Sequence, residues 1–520
     1  MNASFLLLPV MCLILVGLAP SRWARQRQAM LSRWIPRLAG GLFAASLAAG
    51  PLLTLDARPL LQIAAKGGTV DLVYWNGVAW LMLSLVSFVG WVVARYSVRY
   101  LDGEATQGAF FCRLAFTLGS VALSVIAGNL LIMAVALLGM SLGLHQLLLH
   151  YRQRPGAIEG ARMKFIVSRA GDVAFAAALV LTYREFGTLN LAELFEAMGA
   201  RDALAVSGGA TSAIGWLIVI GAAIKSAQFP FYFWLPETLE TPTPVSALMH
   251  AGIVNAGGYV IIRLSPLVAA APTALAALAA VGAVTALIGG VAMLAQTSVK
   301  RSLAYSTIAQ MGFMMLQCGV GAFAAAMLHI LAHSLYKAYA FLANGDVLAV
   351  AAAQEAAGSG DGAQASPTAR FAFAALIVGG SYFAVMAACG ISPVTKPGGY
   401  LLGGLLCLGL TRRAWQMLAS GSRQMAAVVT ATTIGLCLVY ATSYLAVAYA
   451  IAGDVPLVAS SSHVLVVAAL TGLAFIVALV WELRLEAAGS NAAPASLYVH
   501  ASNGFYVEAI ARRLLGSLST

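Results

Sequence analysis

Two titratable side chains lie in a strongly apolar stretch that four prolines interrupt. Residues 222–263 read AAIKSAQFPFYFWLPETLETPTPVSALMHAGIVNAGGYVIIR, with Lys225 before the prolines and His250 after them. Because proline removes a hydrogen bond that a helix needs, the stretch predicts a membrane helix that breaks beside a charge. An ionisable group in a span costs roughly 2.5–3.5 kcal/mol on insertion scales, so its presence indicates an ion path. Lys225 is the candidate switch, because a buried lysine can store a proton and release it when a neighbouring charge moves.

A second group of titratable residues recurs at every fourth position. In AMLHILAHSLYKAYAFLANGD, the side chains of His329, His333 and Lys337 share one slowly rotating face of an apolar helix. Such a face can hold a hydrogen-bonded water chain, and histidine accepts and releases protons near neutral pH. We predict a proton relay. The alternative is a set of buried polar groups that hold neighbouring helices together.

Two further charged sites each allow two interpretations. Asp172 follows Arg169 by three residues on one helical face. The two residues are either an internal ion pair that lowers the cost of insertion or a part of the ion path. Lys396 precedes Pro397 and two glycines, so it either marks a second broken helix or lies in an external loop.

The composition is that of a polytopic membrane protein. Of 520 residues, 61% are hydrophobic and only 9% are charged, and the mean hydropathy is +0.87. The net charge of +11 is spread over short loops, which indicates membrane topology rather than a surface that binds nucleic acid. The six cysteines form no C-x-x-C pair. We therefore expect no disulfide framework, no metal site and no cofactor.

The apolar runs predict an all-α fold of about 13–15 transmembrane helices, since a span needs about 20 apolar residues. The candidate spans centre near residues 12, 46, 86, 118, 138, 174, 217, 252, 284, 311, 331, 380, 407, 438 and 472. The run at 4–19 is predicted to be the first span rather than a cleaved signal peptide. Arginine-rich loops at 21–37 and 150–164 are predicted to be cytoplasmic, which places the N-terminus outside and the C-terminus in the cytoplasm. On this topology Lys300 and Arg301 stand at a cytoplasmic helix start.

Composition shifts divide the chain into five parts. We expect N-terminal spans at 1–108, a core with the broken helix and the His/Lys face at 109–345, a flexible cytoplasmic linker at 346–370, C-terminal spans at 371–485 and an amphipathic cytoplasmic tail at 486–520. The tail either lies on the bilayer or docks a partner protein.

Three long motifs give the chain a resemblance to a known family. KSAQFPFYFWLPETLETPTPVSALMHAGIVNAGG, QTSVKRSLAYSTIAQMGFMM and HILAHSLYKAYAFL resemble the antiporter-like membrane subunits of respiratory complex I, membrane hydrogenases and multisubunit sodium/proton antiporters. The resemblance covers residues 75–345 and implies an antiporter-like inverted-repeat architecture. It matches Lys225 to the broken-helix lysine, His250 to the histidine of the following helix, and the face at 329–337 to the central relay. Arg169 and Asp172 also match family positions.

One departure concerns the residue that pairs with the broken-helix lysine. That family carries a glutamate in its fifth helix, and here the corresponding position is Met140. SLGLHQLLLHYRQRPGAIEGARMKFIVSRAGD, HAGIVNAGG and LYVHASNGFYVEAIARRLLG are more similar to the DabB subunits of inorganic-carbon accumulation complexes.

This resemblance implies a cation-conducting subunit, for H⁺ or Na⁺, that lies in a bacterial inner membrane and drives the uptake of CO₂ or bicarbonate. It implies a non-enzymatic chain, whose soluble DabA-like partner resembles a zinc carbonic anhydrase and carries out the hydration. The alternatives are a subunit of a Na⁺/H⁺ antiporter, hydrogenase or complex I-like assembly, and a non-conducting scaffold with relict charges.

Overall fold

The computed structural model describes residues 4–51, 61–65, 68–200, 209–343, 367–392, 396–418, 423–458, 461–488 and 495–516. Helices dominate these ranges. The first part of the chain forms α1 Ser4–Gly17, α2 Ser21–Gln26, α3 Gln28–Ala48, α4 Gly77–Tyr100, α5 Gln107–Ile126, α6 Leu130–Leu148, α7 Pro155–Phe186 and α8 Leu191–Gly199. The middle part forms α9 Ala210–Lys225, α10 Thr243–Ala251, α11 Ala256–Arg263, α12 Ser265–Ala269, α13 Pro272–Leu294, α14 Val299–Gly319 and α15 Phe323–Leu342. The last part forms α16 Pro367–Ala388, α17 Gly399–Met417, α18 Arg423–Ala450, α19 Ser462–Ala488, α20 Ala495–Ser502 and α21 Val507–Gly516.

The helices confirm a polytopic, all-α membrane protein. Within the described residues, nine helical segments are long and apolar enough to cross a membrane, and Phe5–Gly17 and Ala210–Lys225 are shorter apolar helices. Each predicted span centre falls in a helix, except that position 252 falls in the interruption between α10 and α11. Most of the predicted linker, residues 346–366, lies outside the described residues, and α16 already begins at Pro367.

The predicted break falls directly after the candidate switch lysine. Helix α9 ends at Lys225, and the chain follows an irregular course until α10 begins at Thr243. Ala227, just past the helix end, has a φ of 51°, in the left-handed region. A second interruption, the 3₁₀ turn Ile253–Asn255, separates α10 from α11. Irregular backbone at membrane depth is tolerated where protein or a water-filled cavity surrounds it, so both breaks indicate a polar interior.

Small residues allow close packing of α13 against α14. A Cβ atom at Gly312 would lie 2.4 Å from the backbone nitrogen of Ala286, and one at Gly282 would lie 2.5 Å from that of Leu316. In a membrane the helices gain little from the hydrophobic effect, so such close van der Waals packing carries much of their association. Helix α14 thus packs closely on α13, and it also contacts α15.

One β-hairpin was not predicted from the sequence. Strands β1 Leu61–Ala65 and β2 Gly68–Val73 pair antiparallel, with Ile63 opposite Val70. Asn190 anchors the hairpin, because its Nδ2 donates to the Thr69 carbonyl at 2.7 Å and its Oδ1 accepts from the Asp71 amide at 3.1 Å. The strands are too short to give a clear alternating pattern in the sequence.

Candidate ion path

A single half-buried carboxylate, that of Asp172, holds two cationic side chains. Lys225 Nζ lies 2.5 Å from Asp172 Oδ1, and an Arg169 guanidinium nitrogen lies 2.7 Å from Asp172 Oδ2. The side chain of Lys225 is only 5% exposed. Close approach of the helices permits this contact, because a Cβ atom at Gly171 would lie 3.3 Å from Lys225 Cγ. Asp172 is therefore both the internal partner of Arg169 and the contact of the candidate switch lysine.

The position of the family glutamate is apolar and buried, but a second lysine lies beside it. Met140 of α6 is 3% exposed. Lys164 of α7, also 3% exposed, donates hydrogen bonds to the Ser141 carbonyl at 2.6 Å and to Ser141 Oγ at 2.8 Å. Ser141 Oγ also accepts from Arg169 at 2.9 Å. The prediction of a loop at 150–164, with Lys164 as one of its positive charges, is wrong at this position, because the helix already begins at Pro155 and buries Lys164.

Both lysines line one small cavity. It has a volume of about 20 Å³, and its walls include Met140, Ser141, Lys164, Ser168, Lys225 and Trp234. A polar cavity of roughly 10–15 Å³ by this measure already holds a water molecule. The space is therefore large enough for water to contact both lysine side chains.

The kinked span, residues 243–263 with α10, the 3₁₀ turn and α11, connects the broken helix to α15. Ser226 Oγ donates to the Val254 carbonyl at 2.7 Å and accepts from the Gly257 amide at 3.1 Å. Asn255 Nδ2 then donates to Ser334 Oγ at 2.8 Å. Asn255 and Ser334 are fully buried and were missed by the sequence analysis, because uncharged polar residues are common in membrane helices.

His250 is fixed by a hydrogen bond and by stacking. Its Nδ1 lies 3.0 Å from Thr307 Oγ1, and its ring stacks on Phe341 of α15 at a centroid separation of 4.4 Å. Phe341 lies one turn after Lys337 on the same helix. The contact places His250 beside the predicted relay.

The three predicted relay residues have different surroundings. His329 Nδ1 lies 2.9 Å from Gln317 Oε1, and Lys337 Nζ donates to the Leu303 carbonyl at 3.0 Å. His333 lies between them, with its ring 6.0 Å from that of His329. Within the part of the chain that the structure describes, neither ring nitrogen of His333 has a hydrogen-bond partner, although the residue is 5% exposed. Buried polar groups are normally hydrogen-bonded, so we expect water molecules to be the hydrogen-bond partners of the His333 ring.

Lys396 lies in an aromatic environment near the start of α17. Its Nζ donates to Tyr440 Oη at 2.7 Å and lies 3.9 Å from the ring centroid of Tyr444. The residue is 6% exposed, and Gly398 adopts a left-handed conformation with φ 63° just before the helix. Burial between two tyrosines favours a lysine inside the bundle over one in an exposed loop.

The C-terminal tail packs on the bundle beside the broken helix. Tyr232 Oη donates to the Gly504 carbonyl at 3.1 Å, and Arg512 forms an ion pair with Glu237 at 2.8 Å. Glu508 completes the cluster, 2.6 Å from Arg512 and 3.4 Å from Arg301. Burial, together with the neighbouring Glu508, raises the pKa of Glu237 to about 7. The sequence analysis considered lipid or a partner protein for this tail and did not foresee its attachment to the same chain.

Arg263 is a further buried cation that the sequence analysis did not single out. It is 1% exposed at the end of α11 and donates to the Tyr74 carbonyl at 2.6 Å and to Asn76 Oδ1. Asn76 also caps α4, because its side chain accepts from the Ala79 amide at 2.9 Å. These contacts tie the end of the kinked span to the start of α4, which indicates a structural role.

A membrane helix bundle with a broken helix, a kinked helix and a row of buried lysine and histidine side chains defines a polytopic, antiporter-like membrane protein. The chain belongs to the transmembrane family described as NADH:quinone oxidoreductase/Mrp antiporter, which matches residues 127–386. All the predicted path residues except Lys396 lie within that match.

The chain is similar to two kinds of curated protein. The chain is 47% identical over 272 residues to the probable inorganic carbon transporter subunit DabB2 of Halothiobacillus neapolitanus, covering 52% of this chain and 49% of that protein. It is 39% identical over 277 residues to NADH-quinone oxidoreductase subunit L of Escherichia coli, covering 52% of this chain and 44% of that protein. The chain thus spans about half the length of these curated relatives.

A solved structure supports the fold. The Mrp complex from Dietzia sp. DQ12-45-1b matches 99% of this chain and 59% of its own chain, with a TM-score of 0.65 and 23% sequence identity.

Proposed function

We propose that this chain is a cation-conducting membrane subunit, for H⁺ or Na⁺, of an energy-coupled inorganic carbon transporter. In this proposal the chain carries no hydration chemistry. A soluble, cytoplasmic zinc carbonic-anhydrase-like partner converts CO₂ to bicarbonate, and cation flow through this chain makes that conversion one-way. The chain lies in a bacterial inner membrane with its N-terminus outside and its tail in the cytoplasm. The family and the similarity to DabB2 support the proposal.

The observation that carries the conduction step is the sequence of buried titratable side chains. It begins at the pair of Asp172 and Lys225, continues at His250 and ends in the face of α15 that carries Lys337 and His333. Buried ionisable groups are expensive in a membrane and are typical of proton or ion pathways. Ser226 and Asn255 supply neutral polar groups between the charged ones. Water in the cavity beside Lys225 and around His333 would complete the hydrogen-bonded chain.

A subunit of an Na⁺/H⁺ antiporter or a complex I-like assembly is the second candidate. The 39% identity to NADH-quinone oxidoreductase subunit L supports it. Both candidate functions include cation conduction through this chain. They differ in the process that is coupled to the cation flow, which is carbon uptake in the first and ion exchange or redox chemistry in the second.

The test is uptake of labelled inorganic carbon in a bacterium that lacks carbonic anhydrase and expresses the full chain with its genomic neighbours. We expect uptake that a protonophore abolishes or, for Na⁺ coupling, that sodium removal abolishes. The Lys225→Ala variant should lose carbon uptake and growth in air, while the amount of the protein in the membrane stays unchanged. Lys300→Met is the control, and it should retain both uptake and growth. Uptake that survives both treatments would contradict the coupling. Sodium-dependent proton exchange without carbon uptake would favour the second candidate.

A further inference from the structure

The charge balance around Met140 is unusual for a buried site. Asp172 pairs with two cationic side chains, Arg169 and Lys225, and a third cation, Lys164, shares Ser141 Oγ with Arg169. Among the described residues, no carboxylate lies within ion-pair distance of Lys164 Nζ. A buried charge without a partner is costly, and like charges that share one site disfavour each other's charged form. The arrangement is therefore most favourable when the two lysines carry one positive charge between them.

The hydrogen bonds of Lys164 fit a neutral amine. A neutral lysine has two N–H donors and one lone pair, whereas a charged lysine has three donors and no acceptor. Lys164 Nζ donates two hydrogen bonds, both to Ser141, at 2.6 and 2.8 Å. These use both donors of a neutral amine and leave its lone pair free to accept a proton.

The cavity provides a route between the two lysines. Lys164 and Lys225 both line the space of about 20 Å³ beside Met140. One or two water molecules in that space can donate to one amine and accept from the other. Asp172 remains in contact with Lys225 as its counter-ion.

We propose that Lys164 takes the place of the missing glutamate as the exchange partner of Lys225. The Lys225 ammonium gives a proton to a water in the cavity, and that water gives one of its protons to the lone pair of Lys164. Lys225 becomes a neutral amine, Lys164 becomes an ammonium, and the pair keeps a total charge of +1. The proposal rests on the conduction function above. It adds that in this chain the proton moves between two lysines rather than between a glutamate and a lysine.

The alternative is that Lys164 only ties α7 to α6 through Ser141. Lys164→Gln separates the two roles, because a glutamine amide can donate two hydrogen bonds to Ser141 but cannot accept a proton at neutral pH. In the uptake assay with the full complex, we expect Lys164→Gln to lose uptake by at least about tenfold, in the range of general acid–base effects. Its membrane level and thermal stability should match those of the unchanged protein.

A second substitution tests the exchange itself. Met140→Glu, introduced into Lys164→Gln, restores a carboxylate at the family position and should recover most of the lost uptake. Met140→Gln in the same background is the matched control and should recover none.

The outcomes separate this inference from the proposed function. Wild-type uptake in Lys164→Gln, or a loss that Met140→Glu leaves unchanged, overturns the role of Lys164. If the unchanged protein shows uptake that Lys225→Ala abolishes, the proposed function stands in either case. If the unchanged protein shows no gradient-dependent uptake, the proposed function and the inference both fail.

Discussion

At the residue scale, the environment of each buried ionisable group separates a pathway role from a structural one. Arg263 has its donors directed at main-chain and side-chain oxygens and ties two helices together. His333 is equally deep in the protein, but within the described residues its ring nitrogens have no partner. A buried histidine without protein partners gains nothing for stability, because burial of its polar atoms is uncompensated. Its retention is better explained by proton transfer through water.

The histidine face should behave as one unit. His329→Ala and His333→Ala should each reduce uptake by about 10²-fold or more, and the double variant should be little worse than either. Losses that multiply in the double variant would indicate separate roles instead.

A stability measurement adds a second readout for the same residue. His333→Leu should retain or raise the melting temperature while uptake is lost, because it removes unpaired polar atoms from the interior. His250→Leu is the matched comparison and should lower stability, because it removes the hydrogen bond to Thr307 and the ring stacking on Phe341. A drop in stability for His333→Leu as large as that for His250→Leu would contradict a water-facing role.

At the element scale, the C-terminal tail is joined to the broken-helix loop by charges rather than by packing alone. Glu237 lies in the loop between α9 and α10, and it faces Arg301 of α14 and Glu508 and Arg512 of α21. The turn before α21 is conformationally constrained, with φ of 54° at Phe505 and 60° at Tyr506. Residues held in this region need support from their surroundings, and the hydrogen bond from Tyr232 supplies part of it. The tail thus contacts and stabilises the loop between α9 and α10, which interrupts the membrane helix.

Attachment of the tail should weaken as the pH rises through about 7. The pKa of Glu237 is raised to about 7 in the folded protein, mainly by burial, from an ordinary value of 4.5. Between these two values the folded state binds more protons than the unfolded one, so this contribution to the free energy of unfolding is present below the ordinary pKa and is lost as the pH rises through 7. Because Glu237 contacts the tail through Arg512, we expect the tail contact to loosen over this range. A spin label at position 510 should gain mobility between pH 6 and pH 8.

Glu237→Gln is the control for that measurement, since the amide cannot titrate. The same label should then show no change in mobility over this pH range. A transition that persists unchanged in Glu237→Gln would place the responsible group elsewhere.

At the scale of the whole molecule, the tail has one face on the bundle and another directed outward. Ala501 and Ala511 are buried, whereas Tyr498 is 53% exposed and Ile510 is 57% exposed. The attached tail therefore presents apolar side chains on the end of the bundle that also carries Arg301. Such residues either enter the bilayer surface or contact a partner subunit.

Removing the outward apolar face should weaken assembly with the proposed partner. Burying a large apolar side chain is worth about 1.5–3 kcal/mol, so Tyr498→Ser with Ile510→Ser should reduce co-purification of the partner by more than about tenfold. Helix insertion and the melting temperature of the chain should not change. Leu457→Ser is the control, because this exposed residue lies in the loop after α18. Unchanged co-purification in the double variant would assign the outward face to lipid.

The sequence by itself determined the membrane setting, the helix positions and the break after Lys225. Apolar run length, proline and isolated charges act locally, so these features can be read from neighbouring residues alone. The same local signals placed His329, His333 and Lys337 on one helix face. The resemblance matched Met140 to the family glutamate, but no sequence pattern indicated which side chains lie beside it.

Only the tertiary structure decided which helices bring their polar groups together. Asp172 and Lys225 are 53 positions apart, Lys164 and Ser141 are 23 apart, and Arg512 and Glu237 are 275 apart. Contacts of this kind depend on the packing of whole helices, which is set by close approaches such as those at Gly171 and Gly312. No local pattern encodes them. For this reason the contacts of Lys164 and of the tail cluster could be recognised only from the packed helices and not from the sequence.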